Sequence, residues 1–210
     1  MRKDVVDLFF RELDRALRKR ARVILTGAAA GNLYGNIRPS ADIDFEIRIA
    51  GRRGSIDEAK IGELIADASS KTGLAVNYSD DIGHWSMINY LDYRKTAKRY
   101  KSVGRLDVRL MAPDYWTIGK MARFMKLDID DVVAVIKKQR LPVNRLVALW
   151  GRALRASPLS LAKGRFARNV EYFLRRHGKK LWGKKFDAES AVNDFRRQAG
   201  LDRSSAPARS

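Results

Sequence analysis

The stretch Thr26-Gly27-Ala28-Ala29-Ala30-Gly31-Asn32-Leu33-Tyr34-Gly35-Asn36-Ile37-Arg38-Pro39-Ser40-Ala41-Asp42-Ile43-Asp44-Phe45 holds the two features that decide the fold. It opens with a turn of small residues directly after an apolar run. Such a turn exposes backbone N–H groups at a helix start, a ready cradle for phosphate. It closes on Asp42-Ile43-Asp44-Phe45-Glu46-Ile47-Arg48-Ile49, where charged and apolar residues alternate with the period of a half-buried strand. All the charges of that strand therefore project from one face. Asp42 and Asp44 stand side by side on it and repel each other unless a cation lies between them. A site offering only oxygen ligands suits Mg²⁺ or Mn²⁺. A third carboxylate on a neighbouring strand would complete a two-metal cage. Asp107 is the best placed by pattern, because it alternates outward in Leu106-Asp107-Val108-Arg109-Leu110. Glu46 shares the face of Asp42 and Asp44 but lies ~7 Å further along at strand rise.

The flanking sequence extends this into a mixed sheet with helices. Residues 4 to 20 place Val5, Phe9, Leu13 and Leu17 at helical spacing, and Arg22 to Thr26 reads as a short buried strand. Ser55 to Lys71 is a helix with Ser55 and Glu58 in capping-box register, stopped by Gly73. Residues 74–78, 84–91 and 105–111 read as further strands, with Tyr93 to Val103 as a basic connection. Beyond Pro113 the pattern is helical throughout, over roughly 114–126, 129–139, 143–155, 161–177 and 188–199. The expectation is an α+β catalytic domain over 1–112, a basic helical domain over 113–201, and a disordered tail over 202–210.

Of 210 residues, 43 are Lys or Arg and 24 are Asp or Glu, with no cysteine and a net charge of +19. The absence of cysteine excludes a thiol nucleophile, a thiolate metal site and a disulfide framework. Such a charge implies a polyanionic partner. It is concentrated: from Lys137 to Ser210 there are 19 Lys or Arg against 5 Asp or Glu. Arg175, Arg176, Lys179, Lys180, Lys184 and Lys185 give six cations within eleven residues, nominated as an RNA-binding segment. No apolar run is long enough to span a bilayer and no signal-peptide core follows Met1, so the chain is expected in the cytoplasm, away from membranes.

On the small-residue turn, the Asp-x-Asp strand and Leu106-Asp107-Val108, the chain resembles the nucleotidyltransferase superfamily of the DNA polymerase beta type. A second likeness is to the AbiEii-like and related minimal bacterial nucleotidyltransferases. It rests on Ile118-Gly119-Lys120-Met121-Ala122-Arg123 followed by Asp128-Ile129-Asp130-Asp131. The resemblance implies a nucleotidyltransferase-like mixed sheet holding Mg²⁺ or Mn²⁺ on Asp42, Asp44 and Asp107. A nucleoside triphosphate would lie against Gly27, Ala28, Arg38, Ser40 and Lys120, and Lys120 would join the three carboxylates as a catalytic residue. Asp131 and Glu46 stand as additional acidic residues of the site. The implied reaction transfers a nucleoside monophosphate to an acceptor, with RNA favoured by the basic helical half, a tRNA end among the choices. The AbiEii likeness opens a toxin role with an antitoxin protein as partner.

Each residue also has a plainer reading. An exposed Asp-x-Asp is often only solvated, Asp107 can pair with Arg105 or Arg109, and Lys120 can be an ordinary helix residue. Asp128 fits a helix cap better than a ligand. His84 and His177 have no ligand-forming neighbours in sequence, and the basic run can be a solvated face. The family usually has Gly-Gly or Gly-Ser where this chain has Gly27-Ala28, which leaves only backbone donors for phosphate. That departure supports the alternative of a non-catalytic RNA-binding protein on a degenerate transferase fold.

Overall fold

The computed structural model describes residues 3–35, 42–50 and 58–201. It is an α+β chain that divides into two compact units, 1–82 with 93–112 and 83–92 with 113–210. Among the described residues no helix is long and apolar enough to cross a membrane.

Among the described residues, the first unit is built on a five-stranded mixed sheet. Helix α1 (Lys3–Leu17) leads to β1 (Ala21–Thr26), then α2 (Gly27–Gly35), β2 (Asp42–Ile49), α3 (Glu58–Thr72) and β3 (Ala75–Ser79). A short α4 (Tyr93–Thr96), β4 (Lys98–Val103) and β5 (Leu106–Leu110) complete it. The strand order is β3-β2-β1-β5-β4, with β1 antiparallel to β2 and parallel to β5. Strand β3 runs parallel to β2, and β4 is antiparallel to β5 with a bulge between Arg99 and Lys101.

Register follows from burial. Val23 lies opposite Ile47 and Val108, and Leu25 opposite Phe45 and Leu110, so one face of the three central strands is wholly apolar. Phe9, Phe10 and Leu13 of α1 and Ile65 and Ala68 of α3 are fully buried with it. The rings of Phe9 and Phe10 meet that of Phe45 at 5.8 and 5.9 Å. The opposite face carries Arg22, Thr26, Asp42, Asp44, Glu46 and Asp107, as the alternation in β2 and β5 requires.

Two elements differ from the sequence expectation. Residues 84–91 form no strand: a 3₁₀ turn over Ile82–Trp85 is followed by tight side-chain-capped turns. Ser86 Oγ accepts from the Ile88 amide at 3.0 Å and Asn89 Oδ1 from the Leu91 amide at 2.6 Å. Short polar side chains bonding to the backbone two residues on compete with a ladder. The segment 83–92 accordingly belongs to the helical unit, so the expected continuous domain 1–112 is interrupted. Conversely, the basic connection 93–103 contains β4, whose sequence Lys-Arg-Tyr-Lys-Ser-Val shows no apolar alternation because it lies at the sheet margin.

The second unit is helical: α5 (Pro113–Arg123), α6 (Lys126–Gln139), α7 (Val143–Ala156), α8 (Leu161–Trp182) and α9 (Ala188–Ala199). Its core holds Trp116, Leu146, Trp150, Phe166, Phe173 and Phe195. Trp150 Nε1 donates to Thr117 Oγ1 at 2.8 Å, so the indole is satisfied where it is buried. The Asn169 side chain donates to the Met121 carbonyl at 2.9 Å, tying α8 to the end of α5. The expected tail, 202–210, lies outside the described residues.

Candidate functional site

Asp42 and Asp44 project from the same face of β2, each partly exposed. Parallel pairing sets Asn77 of β3 opposite Asp44. Its side-chain amide donates to Asp42 Oδ2 at 3.2 Å and to Asp44 Oδ1 at 2.9 Å. One oxygen from each carboxylate thus converges on a single atom. That arrangement offsets the repulsion between the two charges and is the disposition a shared cation uses.

Gly27 begins α2 immediately beside this pair. Its φ is +60°, and a Cβ there would overlap the carboxylate of Asp44. Glycine is therefore required twice, for backbone conformation and for space. The first turn of α2 is favourable to negative charge. Ala28, Ala29 and Ala30 are buried, and Tyr34 donates its hydroxyl to the Met111 carbonyl at 2.7 Å, anchoring α2 at the end of β5. Ala28 offers only its main chain. Arg38 and Ser40 lie outside the described residues.

Asp107 faces outward as its alternation required, yet it does not join Asp42 and Asp44. In the ladder Asp107 is level with Arg22, whereas Asp44 is level with Thr26, four residues further along β1. At strand rise that is roughly 13 Å. Register is fixed by the buried Val23–Val108 and Leu25–Leu110 pairs, which alternation within one strand does not reveal. Asp107 instead accepts from Arg22 Nε at 3.1 Å and Arg109 Nε at 2.9 Å. Partial burial raises its pKa, but the two guanidinium groups outweigh that and hold it below the ordinary carboxylate value. Beside the ladder position of Asp44, Thr26 Oγ1 lies against Met111 Sδ at 3.7 Å. Among the described residues no group of three or more His, Asp or Glu is placed to hold one ion.

Glu46 is likewise engaged away from Asp42 and Asp44. It is 1% exposed and receives Arg94 on both oxygens, at 2.7 and 2.9 Å, with the Ile82 amide at 3.3 Å and the Tyr93 hydroxyl also donating. Arg94 also reaches Asp81 at 2.8 Å. Burial, then the bond to Glu46, pushes the Tyr93 hydroxyl well above its usual pKa, so it stays a donor. This cluster closes the far end of the polar face of β2 and leaves Asp42 and Asp44 as its accessible carboxylates.

Lys120 and Asp131 are corrected together. Lys120 is 4% exposed, and its ammonium bonds Asp128 Oδ1 at 3.0 Å and Asp131 Oδ2 at 2.8 Å, over the Trp116 ring at 5.3 Å. Arg123 grips Asp128 through Nε and Nη2 at 2.8 and 2.6 Å. Burial raises the pKa of Asp128, but Arg123 and Lys120 outweigh it and keep the group ionised. Two cations and two anions thus neutralise one another between α5 and α6. Lys120 and Asp131 are thus paired with one another within the helical unit rather than placed with Asp42 and Asp44 on the sheet. Asp128 accepts from the Met125 amide at 3.3 Å, a capping role.

Within the nominated basic segment, Arg175 is committed to Glu189 at 2.8 and 3.0 Å and to Glu171 at 3.3 Å, and so contributes no free cation. Arg176, Lys179 and Lys180 lie exposed on α8, and Lys184 and Lys185 lie exposed in the turn that follows it. His177 stacks on Phe173 at 5.1 Å, a structural placement.

Sequence reasoning missed Asn77, whose role depends on a parallel register, and the Tyr93–Arg94–Glu46 cluster, whose partners are far apart in the chain. The site the described residues assemble is therefore Gly27, Asp42, Asp44 and Asn77. No family model matches this chain, and neither does any curated protein or solved structure.

Proposed function

We propose that the chain is a metal-dependent nucleotidyltransferase that moves a nucleoside monophosphate from an NTP to a hydroxyl of RNA. The acceptor hydroxyl gives up its proton to solvent as its oxygen forms a bond to the α-phosphorus, the bond to the bridging oxygen breaks, and pyrophosphate leaves with the electron pair. The observation that carries this reading is the convergence of Asp42 and Asp44 on one point beside the start of α2. Two carboxylates suffice for this chemistry, because Mg²⁺ is commonly held by one or two carboxylates together with substrate phosphates. Asp42 and Asp44 would hold Mg²⁺ or Mn²⁺, which when bound neutralises charge on the triphosphate. Asn77 keeps the two carboxylates together before the nucleotide arrives. The positive end of α2 favours an anion alongside them. Catalysis on this plan is positioning and charge neutralisation, with no covalent enzyme intermediate.

Incubating the purified protein with total RNA, Mg²⁺ and each α-labelled NTP tests the proposal. Label appears in RNA with wild type and is abolished by Asp42→Ala or Asp44→Ala. A second reading, a non-catalytic RNA-binding protein, draws on Asp107 being held by Arg22 and Arg109. It predicts RNA retention without label transfer under every nucleotide.

A further inference from the structure

We propose that the face of α8 carrying Arg168, Tyr172 and Arg176 is a docking surface for single-stranded RNA, with a base stacked on Tyr172 and phosphates on the two arginines. It rests on the reading of RNA as acceptor, and it names where the strand is gripped.

The three residues follow one another at four-residue spacing, so they lie on one side of the helix about 6 Å apart along its axis. Arg165 and Lys179, both exposed, extend the row at its two ends. Arg168 and Arg176 carry no ion pair among the described residues. Tyr172 is 54% exposed, unusual for an aromatic ring on a helix that buries Phe166, Phe173 and Leu174. The ring meets that of Phe124 at 6.0 Å with the planes at 89°, an edge-to-face pair, and its exposure shows that aromatic surface remains open. The Asn169 bond to the Met121 carbonyl holds this part of α8 against α5.

A pocket of about 440 Å³ is lined by Arg168, Glu171, Tyr172, Arg175 and Arg176. The carboxylate of Glu171 does not oppose an anion there. Arg196 holds both its oxygens at 2.8 and 2.9 Å and Arg175 adds a third bond. Among the lining residues Glu171 and Arg175 are neutralised by their partners, whereas Arg168 and Arg176 supply unbalanced positive charge. Guanidinium groups flanking an open aromatic ring match single-stranded nucleic acid, whose unpaired bases present π-faces between phosphates. Duplex hides those faces, and an anionic bilayer has none. The earlier sequence-based segment shares only Arg176 and Lys179 with this row.

Binding of a fluorescein-labelled single-stranded uridylate 12-mer, measured by anisotropy without NTP or metal, tests the surface. Tyr172→Ala and Tyr172→Leu weaken it about tenfold, Tyr172→Phe retains it, and unchanged melting temperatures confirm folding. Arg168→Glu with Arg176→Glu flattens the dependence of log affinity on log salt by roughly 0.7 for each lost phosphate contact. Asp44→Asn leaves this binding intact while label transfer disappears, so failure of the surface and failure of the catalytic reading are distinguishable. Equal affinity for wild type and folded Tyr172→Leu overturns the proposal. So does preference for duplex of the same length, or stronger retention on phosphatidylserine vesicles than on the oligonucleotide.

Discussion

Gly27 has the narrowest tolerance in the candidate site, because its positive φ and the adjoining Asp44 carboxylate exclude a side chain for separate reasons. Gly27→Ala incurs about 1–2 kcal/mol of backbone strain and displaces Asp44 as well. It is expected to lower the melting temperature and to remove stabilisation by Mg²⁺, both readable in thermal denaturation with and without the ion. Asp42 and Asp44 behave differently, since each relieves repulsion when removed. Asp44→Ala is expected to fold normally and to lose the Mg²⁺-dependent rise in melting temperature. In wild type that rise corresponds to about 2.7 kcal/mol at a hundred times Kd. An equal Mg²⁺ shift in both proteins would place the cation elsewhere. Asn77→Ala leaves the pair without its shared donor, and its deficit in metal-free stability should shrink when Mg²⁺ is added.

At the level of elements, α5 and α6 are joined by an ionic cluster in which a buried ammonium answers two buried carboxylates. Lys120→Met takes the ammonium away from Asp131 and leaves Asp128 with Arg123 as its remaining cation, and is expected to destabilise the protein by about 3–5 kcal/mol. Replacing Asp131 by Leu in the same chain should recover part of it. Chemical denaturation checks this, and a fully stable Lys120→Met protein would show that the cluster does not hold the helices together. The extent to which elements were readable follows from what their patterns encode. Strand β2 was legible to the residue, because a core on one side imposes strict alternation on Asp42–Ile49. Helices α7 and α9 were nearly so, since their apolar stripes face a common core. Strand β4 was hidden by its polar sequence, and 84–91 was mistaken for a strand because Ser86 and Asn89 divert the backbone. At the candidate site, the proximity of Asp42, Asp44 and Gly27 was legible from local spacing. Asp107 was misplaced because its neighbour depends on interstrand register. Lys120 and Asp131 were read as charges offered outward, when burial had already paired them.

Over the molecule as a whole, burial and neighbouring cations set how the fold responds to pH. His177 is held below its ordinary pKa of 6.5, first by burial and then by Arg176 and Lys180, with Asp130 opposing. The unfolded chain therefore binds a proton in a range where the folded chain does not, and stability falls as pH drops below about 6.5. Asp107, Asp128 and Glu171 titrate from values already depressed, so their stabilisation is lost only in stronger acid. His177→Phe should remove the upper phase of acid destabilisation and spare the lower one, as urea unfolding between pH 7 and pH 3 would show. An unaltered upper phase would assign it to another group. Strand β4 bears on what two molecules do when they meet. An outermost strand is a template on which a second chain could add its own, and repeated addition leads to fibres. Here that margin presents exposed Lys98 and Arg99, broken by a bulge, so an approaching copy meets like charge and an interrupted row of main-chain partners. The basic, polar sequence that concealed the strand from its pattern thus also disfavours edge-to-edge pairing of two copies.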